Sequence, residues 1–185
     1  MGENIRDRLT RFNARQDNSI VLHAVPGHFA TSQSHINYYI DMTSLKSRSR
    51  EAREVARFLQ SASMHRIDMV DTIVCMDGTE VIGAFLAEEL EKNHISIANM
   101  HETIYVVSPE TNSANQFLFR ENTRPAVAGK HVLLLMASIT TGETARRSLE
   151  CIEYYGGIVE GVTAIFSTKS QVGGKQVFSV FTQED

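Results

Sequence analysis

Two short, unbroken apolar runs, each handing over to a helical pattern, constrain this chain more than any other feature. The first, Thr72-Ile73-Val74-Cys75-Met76, passes through Asp77-Gly78-Thr79-Glu80 into a stretch from Val81 to Asn93. There Ile82, Phe85, Leu86 and Leu90 recur at helical spacing. The second, His131 to Met136, continues through Ala137-Ser138-Ile139 and Thr140-Thr141-Gly142-Glu143-Thr144 into a helix reaching Tyr155, stopped by Gly156-Gly157. An apolar run without alternation is the mark of a strand covered on both faces. Ile104–Val107, Gly161–Phe166 and Gln176–Phe181, the last after a Gly173-Gly174 turn, read as further strands. The expected class is α/β, a parallel central sheet with flanking helices. Ligands of such sheets sit beyond the carboxyl ends of the strands, which singles out the loops 77–80 and 137–144.

The N-terminal part is organised differently. The first 45 residues are polar and mixed, and His23-Ala24-Val25-Pro26-Gly27 reads as a turn. Asn37 to Met42 is a short aromatic strand candidate, and Ser49 opens a helix with Ala52, Val55, Ala56 and Leu59 on one face. Between Ser108 and Gly129 periodicity is weak and Asn, Ser, Thr and Pro are frequent. A flexible lid is expected over about 108–128. With 185 residues, one domain (1–185) is expected.

Composition removes several classes. The net charge is −4 and no basic cluster occurs, so a wide nucleic-acid surface is not expected. No run approaches the roughly 18 apolar residues a membrane span needs. Met1 to Arg6 lacks the apolar core of a signal peptide, and Arg6 breaks the myristoylation pattern. Two cysteines, Cys75 and Cys151, cannot staple a scaffold and point to a reducing, cytoplasmic setting. The seven histidines show no paired ligand spacing and the cysteines lie far apart, so no protein-ligated metal is expected.

The two loops admit two readings each. At Thr140–Thr144 a helix N-terminus presents backbone N–H groups and the positive end of its dipole, which suits a phosphate. Gly142 permits close approach and three threonine hydroxyls can add hydrogen bonds; the alternative is a Thr N-cap with Glu143 in the first turn. No lysine follows the glycine, so this is not a Walker loop. Asp77 and Glu80 could hold a metal or polarise a substrate, or simply begin a helix after a glycine turn.

The run from Gly129 to Thr144 resembles the phosphoribosyl-diphosphate motif of type I phosphoribosyltransferases. Asp71 to Leu90 looks like that family's pyrophosphate loop and following helix. Ser32 with Tyr38-Tyr39-Ile40-Asp41 is similar to the N-terminal segment of the orotate enzymes. The resemblance runs roughly from His28 to Phe166, and the strand followed by Ile-Thr-Thr-Gly is its most specific part. It implies a five-stranded parallel core at about 66–185, a small hood from about 1–65, and a homodimer. It also implies a ribose 5′-phosphate cradled by Ser138, Ile139, Thr140, Thr141, Gly142, Glu143 and Thr144. The pyrophosphate loop would be Asp77, Gly78, Thr79 and Glu80.

Three departures bear on the chemistry. The family's two acidic residues, which hold the ribose hydroxyls, are replaced by Met136 and Ala137. An oxocarbenium-like centre would lose carboxylate stabilisation. The lid carries no net charge, because Arg120 and Arg124 are cancelled by Glu110 and Glu121, and a pyrophosphate leaving group needs cations or magnesium. Thr31 and Gln33 stand where the orotate enzymes usually have lysine and glycine. The expectation is a phosphorylated ribose or nucleotide ligand, with ordinary phosphoribosyl transfer disfavoured and no catalytic residue assigned. Magnesium is expected only if the chain is catalytic. The alternatives are a non-catalytic nucleotide-binding or sugar-monophosphate-binding regulatory module and a structural dimer partner.

Overall fold

A computed structural model describes residues 9–30, 35–63, 67, 69–92 and 103–185. Ser32, Thr31 and Gln33 lie outside the described residues. The body is a six-stranded sheet built from β4 (Thr72–Cys75), β5 (Tyr105–Val107), β8 (His131–Ile139), β9 (Ile158–Ser167), β10 (Gln171–Val172) and β11 (Lys175–Phe181). Its spatial order is β10-β11-β9-β8-β4-β5, and every pairing is parallel except the short β10–β11 edge. The central sheet is thus mostly parallel, as the apolar runs predict.

β8 shows why. Leu133, Leu134 and Leu135 are fully buried on alternate faces of this strand. Leu133 and Leu135 join one core with α2 (Ser49–Ser63) and α3 (Glu80–Lys92). Leu134 and Met136 join a second core with Ala145, Leu149 and Ile152 of α4 (Glu143–Tyr154). Each such side chain contributes about 2 kcal/mol by leaving water, which anchors β8 and hence the loop that follows it. Gly83 of α3 lets that helix approach the sheet, since a Cβ there would collide with Cys75 Sγ.

The hood is an antiparallel sheet of β1 (Thr10–Asn13), β2 (Val21–Ala30) and β3 (His35–Asp41), in the order β1-β2-β3. A single short helix, α1 (Thr43–Ser47), leads from it into α2. The turn expected at His23–Gly27 is therefore wrong: these residues lie inside β2. β1 pairs with β2 only as far as Ala24, so the β1 ladder requires no N–H of Pro26, which lies opposite Tyr38 of β3. The register shifts between Pro26 and Phe29, and a bulge is where a strand tolerates proline and glycine.

The segment expected as a lid contains a hairpin of β6 (Glu110–Thr111) and β7 (Phe117–Leu118), followed by a 3-10 turn at Arg124–Ala126. Asn112 Oδ1 closes the hairpin by accepting from the Ala114 and Gln116 N–H groups.

Candidate functional site

Beyond the carboxyl ends of β4 and β8, the hood overhangs a cleft of about 540 Å³. Its floor comes from the exit of β8. The Ile139 carbonyl accepts from the Thr168 N–H at 2.9 Å, and the Thr140 carbonyl accepts from the Thr168 hydroxyl at 2.7 Å. With both carbonyls tied to the β9 side, the chain turns through Gly142 at φ 85°, a conformation glycine adopts without strain. Gly142 is also the N-cap of α4, and no side chain caps that helix. The Thr141 hydroxyl stands 3.4 Å from the Glu143 N–H, a long contact. A Thr N-cap is thus not what the loop builds. It presents the helix N-terminus, with its partial positive charge, to the cleft.

Of the seven residues expected to form the phosphate cradle, Ser138, Ile139, Thr140, Thr141, Gly142 and Thr144 line the cleft. Glu143 does not; its carboxylate pairs with Arg146 at 2.8 Å on the exposed helix surface. Of the four expected in the pyrophosphate loop, Asp77 alone lines it. Thr79 is fully buried, with its hydroxyl donating to the Met76 carbonyl at 2.8 Å. Glu80 accepts from the Ser108 hydroxyl at 2.7 Å, and Gly78 completes the turn at φ 75°.

Asp77 is held from three sides. It sits at φ 58°, which Asp tolerates better than most residues. Its carbonyl accepts from Lys46 Nζ at 2.7 Å, and its carboxylate accepts from the Ala137 N–H. Asp77 is exposed on the cleft surface, yet partial loss of water there raises its carboxyl from the ordinary value. Lys46 and the Ala137 N–H pull it down, and Glu80 pushes it up. Beneath it, burial pushes the Cys75 thiol up to about 12, so this cysteine is no nucleophile near neutral pH.

Sequence reasoning missed Lys46. Among the described residues that line the cleft it is the one cation, brought in from the hood by α1. A five-residue helix leaves no periodicity to read, so nothing local marked Lys46. Tyr38, Tyr39 and Asp41 line the same wall, and Asp41 Oδ1 accepts from the Thr43 N–H at 2.9 Å to start α1. A second cleft of about 700 Å³, mostly apolar, opens beside the first and shares Tyr38, Ile40, Thr140 and Phe166 with it. Phe12, Leu22 and Phe181 form its depth.

No known family profile and no curated protein matches the sequence. Solved structures do match. The chain superposes on orotate phosphoribosyltransferase from Aeropyrum pernix with a TM-score of 0.61 at 18% identity, over 87% of this chain and 88% of that one. The fold is that of the type I phosphoribosyltransferases. UMP synthase of Leishmania donovani matches at TM-score 0.60 and 17% identity over 87% of this chain, which spans only 34% of that longer protein. The Mycobacterium tuberculosis H37Rv orotate phosphoribosyltransferase, solved with 5-phospho-alpha-D-ribosyl 1-diphosphate, gives 0.58 and 15% over 79% of this chain and 81% of that one. Adenine phosphoribosyltransferases also match, so the likeness is to the fold and not to one base.

The acidic pair that the sequence resemblance leads one to expect is absent from the structure as well. Met136 is buried in the α4 core, and Ala137 offers the cleft a methyl group. The lid's cations are engaged locally: Arg120 pairs with Glu110, and Arg124 with Glu121. Asp77 and Glu80 hold separate partners, the Ala137 N–H and the Ser108 hydroxyl. No described helix is long and apolar enough to cross a membrane.

Proposed function

We propose that this chain binds a nucleoside 5′-monophosphate or a similar ribose 5′-phosphate ligand, with the phosphate on the Thr140–Thr144 loop. The observation that carries the reading is the N-terminus of α4, without a side-chain cap and turned through Gly142 into the cleft. Backbone N–H groups and the helix dipole favour a phosphate there without lysine. The sugar then lies over Ala137 and Ser138, and the apolar second cleft beside Tyr38 and Phe166 suits the aglycone. The phosphoribosyl diphosphate in the M. tuberculosis structure is of this ligand class.

Transfer of the phosphoribosyl group is disfavoured. β8 presents no carboxylate to a cationic transition state, and among the described lining residues a pyrophosphate would meet Lys46 as its single cation. Magnesium belongs to this reading only as a companion of a pyrophosphate substrate. A cytoplasmic homodimer completes the proposal.

Calorimetry with the four common nucleoside 5′-monophosphates, in the presence of a chelator, tests it. Binding of at least one is expected, weakened about tenfold or more by Gly142→Glu, which strains the turn and adds charge; tenfold corresponds to about 1.4 kcal/mol. Equal affinity in that variant removes the loop from the site. A pyrophosphate-release assay over a panel of bases is expected to stay silent, and turnover would replace the binding module with an enzyme.

A further inference from the structure

We propose that Asp77 is the specificity residue of the cleft, its carboxylate accepting hydrogen bonds from the vicinal hydroxyls of the bound sugar. The proposal rests on a phosphate seated at Thr140–Thr144. A ligand anchored there has its sugar beside the exit of β8, and Asp77 stands at the end of β4, the neighbouring strand. Adjacent strands lie about 4.8 Å apart, so a carboxylate at that end reaches the floor of the cleft.

The geometry also aims it. Cys75 pairs with Leu135, and two residues further along each strand the Ala137 N–H meets the Asp77 side chain in place of a backbone carbonyl. That N–H occupies one of about four acceptor positions on a carboxylate. Lys46 Nζ donates to the Asp77 carbonyl rather than to its carboxylate, on which it acts by charge alone. The other carboxylate in the wall, Asp41, accepts from the Thr43 N–H through Oδ1. Threonine and tyrosine hydroxyls elsewhere in the lining offer a diol only neutral hydrogen bonds. An ionised carboxylate accepts only, and charge-assisted hydrogen bonds are about twice as strong as neutral ones.

The competing role is a strand cap that satisfies the Ala137 N–H and nothing more. Asp77→Asn separates the two. Asparagine keeps the acceptor for Ala137 and tolerates a positive φ, but it loses the charge. Each of the four common ribonucleoside 5′-monophosphates and its 2′,3′-dideoxy counterpart are titrated calorimetrically into wild type, Asp77→Asn and Asp77→Ala, with thermal melting as the folding control. The wild type is expected to prefer the ribo form by about tenfold. Both variants should reduce that preference to about twofold and leave affinity for the dideoxy form unchanged. An unchanged preference in folded Asp77→Asn and Asp77→Ala overturns the assignment. Equal wild-type binding of both forms overturns it too, while the phosphate loop stands. Binding of neither form by the wild type overturns the phosphate reading and this one together.

Discussion

At Asp77 a carboxylate occupies a position that costs it water. Its pKa is raised from the ordinary 3.8, chiefly by desolvation. A raised carboxyl holds its proton to higher pH in the folded state than in the unfolded chain. Its contribution to stability is therefore greatest below 3.8 and is lost as pH rises through the folded value. Asp77→Asn, neutral throughout, is expected to melt above wild type near pH 7, with the gap closing as the buffer is taken towards pH 4. Calorimetric or dichroism melts over that range check the sign. A lower melting temperature for the variant at pH 7 would mean that the attraction to Lys46 outweighs the lost water. A stabilising substitution at a cleft residue is the usual signature of a group kept for function.

Among the elements, the segment over 108–128 behaves least as its composition suggests. Its hairpin and 3-10 turn are tied to α4: the Phe119 ring packs edge-on against Tyr155 at 5.4 Å, and the Arg147 guanidinium lies 5.0 Å over Phe117. Arg147 also donates to the Asn115 carbonyl. Phe119 is 4% exposed, so its truncation opens a cavity. Phe119→Ala is expected to destabilise by about 3 kcal/mol, read from the urea midpoint. A loss under about 0.5 kcal/mol would mean that the hairpin is not part of the folded core. Two-residue strands and side-chain anchors 30 to 36 positions away leave no local pattern, which is why this packing was illegible. β2 was illegible for a different reason. Proline and glycine signal a turn locally, and only the shortness of β1 and the bulge opposite β3 let them stay in a strand.

Across the whole molecule, hood and body share one core. Ala14, Ile20 and Leu22 from the hood segment and Met42 and Leu45 from its exit pack into the cluster that holds Leu59, Ile73, Leu133 and Phe181. Burial that crosses the boundary couples the two parts. Unfolding followed by tyrosine fluorescence, there being no tryptophan, and by far-UV dichroism is expected to give coincident transitions. An early transition confined to the hood tyrosines would show that hood and body are separate cooperative units. The coupling matters for the site, because Lys46 and Tyr38 reach the cleft only if the hood is docked.

The sequence by itself determined the sheet and the loop. Apolar runs without alternation at Thr72–Met76 and His131–Met136 demand cover on both faces, and the Thr-Thr-Gly stretch places a glycine turn and a helix start at a strand end. Both are local consequences of side-chain periodicity and backbone chemistry, so a single chain carries them. Only the tertiary structure decided what surrounds that loop. It turned Thr79 and Glu80 to structural partners, left Asp77 in the cleft against the Ala137 N–H, and brought Lys46 across from a five-residue helix. Apart from the local Thr79–Met76 bond, those contacts join residues 28 to 60 positions apart, through strand pairing and hood docking that no local window records.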